Sequence, residues 1–220
     1  QKDSAFSLED RVGLVSDAFT LAQAGYSKTS GGLALMHAIR GDNSSLVNTA
    51  AALNLGKLAS VWWEQPQPVR DAINRFRADV FGPMARELTF EFGANDSSEL
   101  RELRETVITA AASAGDTWTI DEIRRRFAPL QEHGDYSLIH PDLLRTVLSQ
   151  AVKHGGEAEY ETVMGVYRAP PTPAHKTSAM VALGTTQDAA LIQRTIEFVF
   201  SGQVKTQDFM YFFMSLSSNP

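Results

Sequence analysis

Apolar residues recur along this chain at helical spacing, and capping or helix-breaking residues interrupt the pattern at regular intervals. The first amphipathic face consists of Leu8, Val12, Val15, Phe19 and Ala22. Ser7 and Asp10 precede this face in the order of a capping box, with Asp in place of the usual Glu. Gly25 follows it, where a glycine commonly ends a helix. The pattern therefore predicts an amphipathic helix that begins after Ser7 and ends before Gly25.

The same signals recur to the end of the chain and predict about eleven helices, with the two segments on either side of Gly82-Pro83 counted as one kinked helix. After the first, helical segments are predicted at about 30–39, 45–64, 68–81, 84–92, 99–114, 119–133, 141–154, 157–168, 173–183, 188–200 and 206–216. The pair Gly82-Pro83 is expected to break or kink the chain between two of these segments, and Pro129 is expected to distort the last turns of another. Ser97 or Ser98 is expected to cap the segment that follows.

Strands are not needed anywhere, because no segment of five or more residues alternates cleanly between apolar and polar side chains. Short links between helices favour antiparallel neighbours, and successive pairs occupy roughly 35 to 45 residues, the size of HEAT and armadillo units. No repeated consensus is visible. We therefore predict an all-α fold over residues 1–220, one helical domain built as an irregular HEAT- or armadillo-like array of antiparallel hairpins, an α–α superhelix.

Composition narrows the classes of protein to which the chain can belong. Its 220 residues carry a net charge of −6, and the basic residues are scattered, so a nucleic-acid partner is not expected. No apolar run reaches the roughly 18 to 20 residues that cross a bilayer, so no membrane segment is expected either. The absence of cysteine excludes disulfides and thiolate chemistry, and it favours the cytoplasm. The sequons at Asn43 and Asn95 leave a secretory compartment open.

Signatures of catalysis, cofactor binding and metal binding are missing. None of the five histidines is four residues from another, so no HExxH zinc motif is present, and neither GxSxG nor a glycine-rich phosphate loop occurs. His133 and His140 flank a loop with Asp135 and Asp142 nearby; a hydrogen-bonded loop is favoured over an incidental metal site. We assign no catalytic, cofactor-binding or metal-binding residue, although a triad assembled from distant positions stays open.

Three other clusters favour structural roles. Of Trp62 and Trp63, one indole is expected to enter the core and the other to pack against a neighbouring helix. The run Arg124-Arg125-Arg126 is expected to be a solvated helix face. The final segment, DFMYFFMSL, is apolar almost all round, which predicts burial from several sides or a surface exposed by truncation.

Four stretches resemble the C-terminal helical domain of zinc aminopeptidases of the aminopeptidase N type, a group that includes the puromycin-sensitive and endoplasmic-reticulum aminopeptidases. These stretches are LEDRVGLVSDAFTLAQAG, SVWWEQP, YETVMGVYR and MVALGTTQDAALIQRTIEFVFSGQVKTQDF, and the last is the most specific. The resemblance spans essentially the whole chain. It agrees with the two termini, QKDSAFSLED and SLSSNP, which suggest a fragment of a longer multidomain enzyme.

The resemblance implies that zinc and the catalytic residues belong to an upstream domain, because the HExxH and GAMEN motifs of such enzymes do not occur in these 220 residues. It implies that this domain encloses the substrate chamber, with the catalytic domain of the same chain and peptide substrates as its partners. Some relatives place a peptide-contacting Arg in this domain, but no matching motif assigns one here, so the peptide-binding residues are unknown.

Two alternatives stay open at this stage. In the first, the chain is a stand-alone HEAT-like scaffold that binds protein partners and has no enzyme attached. In the second, which ranks lower, the chain is itself an enzyme with a non-local catalytic site. Under the leading hypothesis, the isolated fragment is inactive and its parent is a zinc-dependent hydrolase.

Overall fold

The computed structural model describes residues 6–217, and within that range the regular structure is entirely helical, without a β-strand. The predicted all-α class is therefore confirmed. The α-helices are α1 (Leu8–Gln23), α2 (Thr29–Ile39), α3 (Ser45–Val61), α4 (Gln67–Leu88), α5 (Ser98–Ser113), α6 (Thr117–His133), α7 (Leu144–His154), α8 (Glu157–Arg168), α9 (Pro173–Leu183), α10 (Ala189–Phe200) and α11 (Phe209–Leu216). Short 3₁₀ turns precede α7 and α11, at Pro141–Leu143 and Thr206–Asp208. The chain divides into two compact units, residues 1–119 and 120–220.

The first unit is a two-layered helical array. Helices α1, α3 and α5 pack one against the next, while α2 packs on α1 and α4 packs on α3 and α5. Side chains that are almost completely buried in this unit are Val15, Met36, Leu55, Phe81, Val107 and Ile108. The stacking of α1, α3 and α5, each on its second neighbour along the chain, is the arrangement of a hairpin array.

Capping residues set several helix boundaries where the sequence predicts them. The Ser7 hydroxyl accepts the backbone N–H of Asp10 at 3.1 Å, and the Asp10 carboxylate accepts that of Ser7 at 3.2 Å, which completes the capping box. Gly25 follows α1 with φ of 80°, in the left-handed region that glycine tolerates. Ser97, rather than Ser98, caps α5 by accepting the N–H of Leu100 at 3.2 Å.

Helix α4 differs from its prediction, because Gly82 and Pro83 lie inside it and do not end it. The helix runs on to Leu88, and the next residue, Thr89, has φ of 54°. A β-branched residue in this region carries backbone strain. The turn directs the chain out of the helix and leaves Phe90 buried beside Trp118, with ring centroids 6.0 Å apart. The predicted helical segment 84–92 is therefore wrong beyond Leu88.

The buried guanidinium of Arg104 holds the segment that follows α4. Its Nε donates to the carbonyl of Leu88 at 3.0 Å, and its Nη1 pairs with Asp96 at 2.7 Å. The Arg104 guanidinium also lies 4.6 Å from the ring centroid of Phe92. A hydrogen bond from the Gly93 N–H, followed by the one from Arg104, lowers the pKa of Asp96. One arginine thus satisfies a carbonyl at the end of α4 and orders the following loop.

The second unit has the same style of packing. Helix α9 contacts α7, α8 and α11, and α10 contacts α11. Tyr160 is fully buried, and its hydroxyl lies 2.8 Å from Oγ1 of Thr195. Thr195 donates its own proton to the carbonyl of Leu191, so Tyr160 is the donor in the shared bond. Helix α6 continues past Pro129 to His133, so that proline does not end it.

Candidate functional site

The loop flanked by His133 and His140 satisfies its polar groups locally. Nδ1 of His140 accepts the N–H of Asp142 at 3.3 Å, and both Asp135 carboxylate oxygens accept bonds from Ser137 at 2.8 Å. Those two bonds lower the pKa of Asp135. The side chain of His133 is 75% exposed and approaches Glu132. Across residues 6–217, no three His, Asp or Glu side chains come together in a group that could hold a metal ion.

Neither of the two adjacent tryptophans enters the core, so the expectation that one of them does is wrong. Trp63 is 51% exposed, and Trp62 is only half-buried. The reason is that α3 ends at Val61, three residues before its predicted end. Both tryptophans therefore follow the helix and do not occupy adjacent helical positions.

Of the three consecutive arginines, two are solvent-exposed as predicted and the third is buried. Arg124 and Arg125 are exposed and pair with Asp121 and Glu122 at 3.2 and 2.9 Å. Arg126 is buried, and its Nη1 donates to the carbonyl of Leu138 at 2.9 Å. Successive helical positions point about 100° apart, so three consecutive residues cannot share one face.

Helix α11 buries one side and exposes the other. Phe212 is fully buried, whereas Met210 and Met214 are 67% and 59% exposed. The ring of Phe200 is itself 64% exposed and lies 6.0 Å from that of Phe213. These residues form an exposed apolar patch in the second unit.

The first unit contains a cleft that is lined by charged residues of both signs, and we consider this cleft the candidate functional site. Its volume is about 320 Å³. The residues that line it, from α2, α4 and the link between α5 and α6, are His37, Arg40, Phe76, Ala78, Asp79, Val80, Pro83, Arg86 and Asp116. The volume lies at the lower end of the range for small-ligand sites, about 300 to 1,000 Å³.

Asp116 organises one side of this cleft. Its side chain is only 8% exposed. One carboxylate oxygen accepts the N–H and the hydroxyl of Thr119 at 3.0 and 2.8 Å, and the other accepts Nη2 of Arg86 at 2.8 Å. The Arg86 guanidinium also lies 5.7 Å from the ring centroid of Trp118. Asp116 therefore supports the first turn of α6 and fixes the position of a cleft arginine at the same time.

Gly82 makes this geometry possible. A β-carbon built at that position would lie 2.6 Å from Oδ2 of Asp116 and 2.9 Å from Nη1 of Arg86. Only a residue without a β-carbon admits the carboxylate at this distance, so glycine serves here for a close approach and not for a break.

The residues that line the cleft are suited to bind polar and charged groups of a ligand. Its lining includes the charged residues Arg40, Asp79, Arg86 and Asp116, with Phe76 as an apolar member. The carboxylate of Asp116 is already bonded to Thr119 and Arg86. Such mixed polarity suits a ligand that carries amide and charged groups together. The cleft could not be identified from the sequence, because its residues come from three separate segments. The available signal was Asp116, a residue type that commonly caps helices, three residues before the predicted segment 119–133.

The fold defines a helical-hairpin array, and charged residues of both signs line the cleft in its first unit. Among known families, the sequence model of the ERAP1-like C-terminal domain matches residues 1–220. The chain therefore belongs to that family. The resemblance inferred from the sequence is thereby confirmed.

Several curated proteins are similar to this chain over nearly its full length. It is 31% identical over 204 residues to the alanine/arginine aminopeptidase of Saccharomyces cerevisiae, and the aligned region covers 92% of this chain and 24% of that protein. It is 30% identical over 217 residues to the mitochondrial aminopeptidase 2 of the same yeast, covering 94% and 22%. Aminopeptidase M1-A of Oryza sativa subsp. japonica is 26% identical over 212 residues, covering 93% and 24%. The chain thus spans about a quarter of the length of these relatives.

No helix within residues 6–217 combines the length and the apolar character that a bilayer crossing requires.

Proposed function

We propose that this chain is the substrate-enclosing and regulatory C-terminal domain of a zinc aminopeptidase that removes N-terminal residues from peptides. The observation that carries the proposal is the match of the whole chain to the ERAP1-like C-terminal domain. Its similarity to proteins named aminopeptidases, of which it spans about a quarter, supports the same view. Its partners are then the catalytic domain of the same polypeptide and the peptide substrate.

The zinc of such an enzyme does not fit the residues described here. A catalytic zinc site uses about three protein ligands and an open position, and residues 6–217 bring no such group together. We therefore propose that the metal and the catalytic residues lie in another part of the polypeptide, and that residues 1–220 form one domain of it. We place the protein in the cytoplasm, which localisation of a tagged full-length protein would test.

The first experiment compares the 220-residue chain with the full-length polypeptide that contains it. We expect the full-length protein to hydrolyse aminoacyl amide reporters and to bind zinc stoichiometrically, and the isolated chain to do neither. Activity assays and elemental analysis provide the two readouts. Zinc-dependent hydrolysis by the isolated chain would overturn the proposal.

The second experiment asks whether the first-unit cleft contacts peptide. Arg40→Ala in the full-length enzyme is expected to raise KM for a long peptide more than KM for a single-residue amide reporter, because only the long substrate reaches beyond the catalytic centre. Arg75→Ala is the matched control, since Arg75 lies on α4, is exposed and does not line the cleft. Equal effects of Arg40→Ala on both substrates would contradict an enclosing role for this cleft.

A second candidate function is that of a stand-alone scaffold that binds protein partners. The exposed apolar patch favours it, and this patch consists of Phe200, Met210, Phe213 and Met214. The two functions are separated by the gene sequence upstream of Gln1. The aminopeptidase proposal requires HExxH and GAMEN there, whereas the scaffold requires neither.

A further inference from the structure

The segment that joins α4 to α5, residues 89–97, begins with a strained residue, and we call this segment the strap. Thr89 has φ of 54° and ψ of 177°, and within residues 6–217 every other residue with a positive φ is a glycine. A β-branched residue at this φ costs free energy, and the conformation persists only where neighbouring contacts fix it. Strained residues cluster at functional sites, so the contacts around Thr89 indicate what its geometry serves.

Contacts on both sides of Thr89 hold the strap in place. Before it, the carbonyl of Leu88 accepts Nε of the buried Arg104 at 3.0 Å. After it, the ring of Phe90 is buried. Arg104 also pairs with Asp96, near the other end of the strap, at 2.7 Å. Thr89 therefore cannot relax without breaking a hydrogen bond to a buried guanidinium or exposing an aromatic ring.

The ring of Phe90 connects the strap to the first-unit cleft. Its centroid lies 6.0 Å from that of Trp118, at an interplanar angle of 58°. The Trp118 ring in turn lies 5.7 Å from the guanidinium of Arg86, which pairs with Asp116 at 2.8 Å. The Arg86 side chain is 43% exposed, so these neighbours are what restricts its rotamers. A continuous series of contacts thus leads from the strained residue to a charged group that lines the cleft.

We propose that Trp118 and Phe90 are positioning residues for Arg86, and that the strained strap keeps both rings in place. A guanidinium that is fixed before a ligand arrives loses less conformational freedom on binding, so it binds an anionic group more tightly. This benefit rests on the proposed function of the cleft. The positioning itself is measured on Arg86 in the 220-residue chain, so its failure is distinguishable from failure of the activity assays.

Thermal unfolding of two variants tests the strain at Thr89. Thr89→Ala and Thr89→Gly both remove the hydroxyl and the methyl group, whereas only glycine removes the β-carbon. At an ordinary exposed position glycine gives the lower Tm, because it makes the unfolded chain more flexible. We expect the opposite order at the exposed Thr89, with the Tm of Thr89→Gly higher by about 2 to 4 °C. A Tm for Thr89→Gly equal to or below that of Thr89→Ala would overturn the proposal.

Modification of arginines by phenylglyoxal, mapped by mass spectrometry, tests the positioning of Arg86. Its rate is expressed relative to that of Arg75, which is exposed on the same helix and does not line the cleft. We expect the relative rate to rise about two- to fivefold in Trp118→Leu, the factor that corresponds to loss of an exposed cation–π contact. Trp118→Phe retains an aromatic ring and should stay close to the unsubstituted protein. Equal relative rates in the two variants contradict a positioning role for Trp118.

Phe90→Leu tests the connection between the strap and Trp118. Leucine keeps a buried apolar side chain and removes the ring contact, so the relative rate of Arg86 modification should rise, as in Trp118→Leu. Phe127→Leu is the matched control, because Phe127 is also buried and lies in α6; the relative rate should not change in this variant. An unchanged rate in Phe90→Leu, or an equal rise in the control, would show that the strap does not position Arg86.

Asp96→Asn tests whether Arg104 holds the strap in place. Asparagine keeps an oxygen that can accept the N–H of Gly93 but removes the charge that pairs with Arg104. We expect a higher relative rate of Arg86 modification. Asp121→Asn, which weakens an exposed ion pair, should leave the rate unchanged. If Asp96→Asn also leaves it unchanged, the proposal is wrong.

Discussion

At the scale of single residues, Asp116 links two tasks that are usually separate. Its carboxylate supports the first turn of α6 through Thr119 and anchors Arg86 at the edge of the first-unit cleft. Because it is almost buried, water cannot replace these partners when the carboxylate is removed. The stability of the first unit and the shape of its cleft therefore depend on the same side chain.

Asp116→Ala is expected to lower the free energy of unfolding by about 2 kcal/mol, the sum of a lost helix cap and a lost charged hydrogen bond. Urea unfolding of the 220-residue chain measures the change. Asp121→Ala is the control, because Asp121 also pairs with an arginine but is 71% exposed; its cost should stay below about 1 kcal/mol. Similar losses for both variants would show that burial of Asp116 contributes little.

At the scale of helices, α4 illustrates how tertiary contact overrides local preference. Glycine and proline are the poorest helix formers, yet Gly82 and Pro83 lie inside a helix of 22 residues. Helix propensity does not explain a glycine at position 82. The close approach of the Asp116 carboxylate does, because it leaves no room for a β-carbon.

Two alanine substitutions at helical glycines are therefore expected to have opposite signs. A β-carbon added to Gly56 in α3 would meet no atom within 4 Å, so Gly56→Ala should stabilise the protein by about 0.5 to 1 kcal/mol. Gly82→Ala should destabilise it by about 1 to 3 kcal/mol, since Asp116 is held by Thr119 and cannot move aside freely. Thermal or urea unfolding gives both values, and a stabilised Gly82→Ala would show that the cleft tolerates a methyl group.

Helix positions and caps could be predicted from the sequence because their causes are local. Ser7, Asp10 and Gly25 act within one or two turns, and the structure places them as the pattern indicates. The continuation of α4, the exposure of Trp63 and the assembly of the first-unit cleft could not be predicted. Each depends on which distant segments meet, and no spacing within the chain encodes that information.

At the scale of the whole molecule, the chain contains two compact units, whereas we propose that it acts as one domain of residues 1–220. The three tryptophans, Trp62, Trp63 and Trp118, all lie in the first unit. Indole fluorescence therefore reports on the first unit and on the start of α6, which continues into the second unit, while far-ultraviolet circular dichroism reports on the helices of both.

If residues 1–220 form one cooperative domain, the two signals should give the same urea midpoint and the same slope. Gly56→Ala, which alters only the first unit, should then move both curves together. Separate midpoints, or a shift confined to fluorescence, would show that the two units unfold independently.

The stacking of each helix on its near neighbours also bears on how the protein is made. In both units the principal pairings join helices with at most one other helix between them, as in α1 with α3 and α7 with α9. Pairings this close along the chain require only short loops to be closed during folding. As the nascent polypeptide leaves the ribosome, each helix meets its packing partner within a few tens of residues of synthesis. Assembly can thus proceed in the direction of translation, without waiting for the carboxyl terminus.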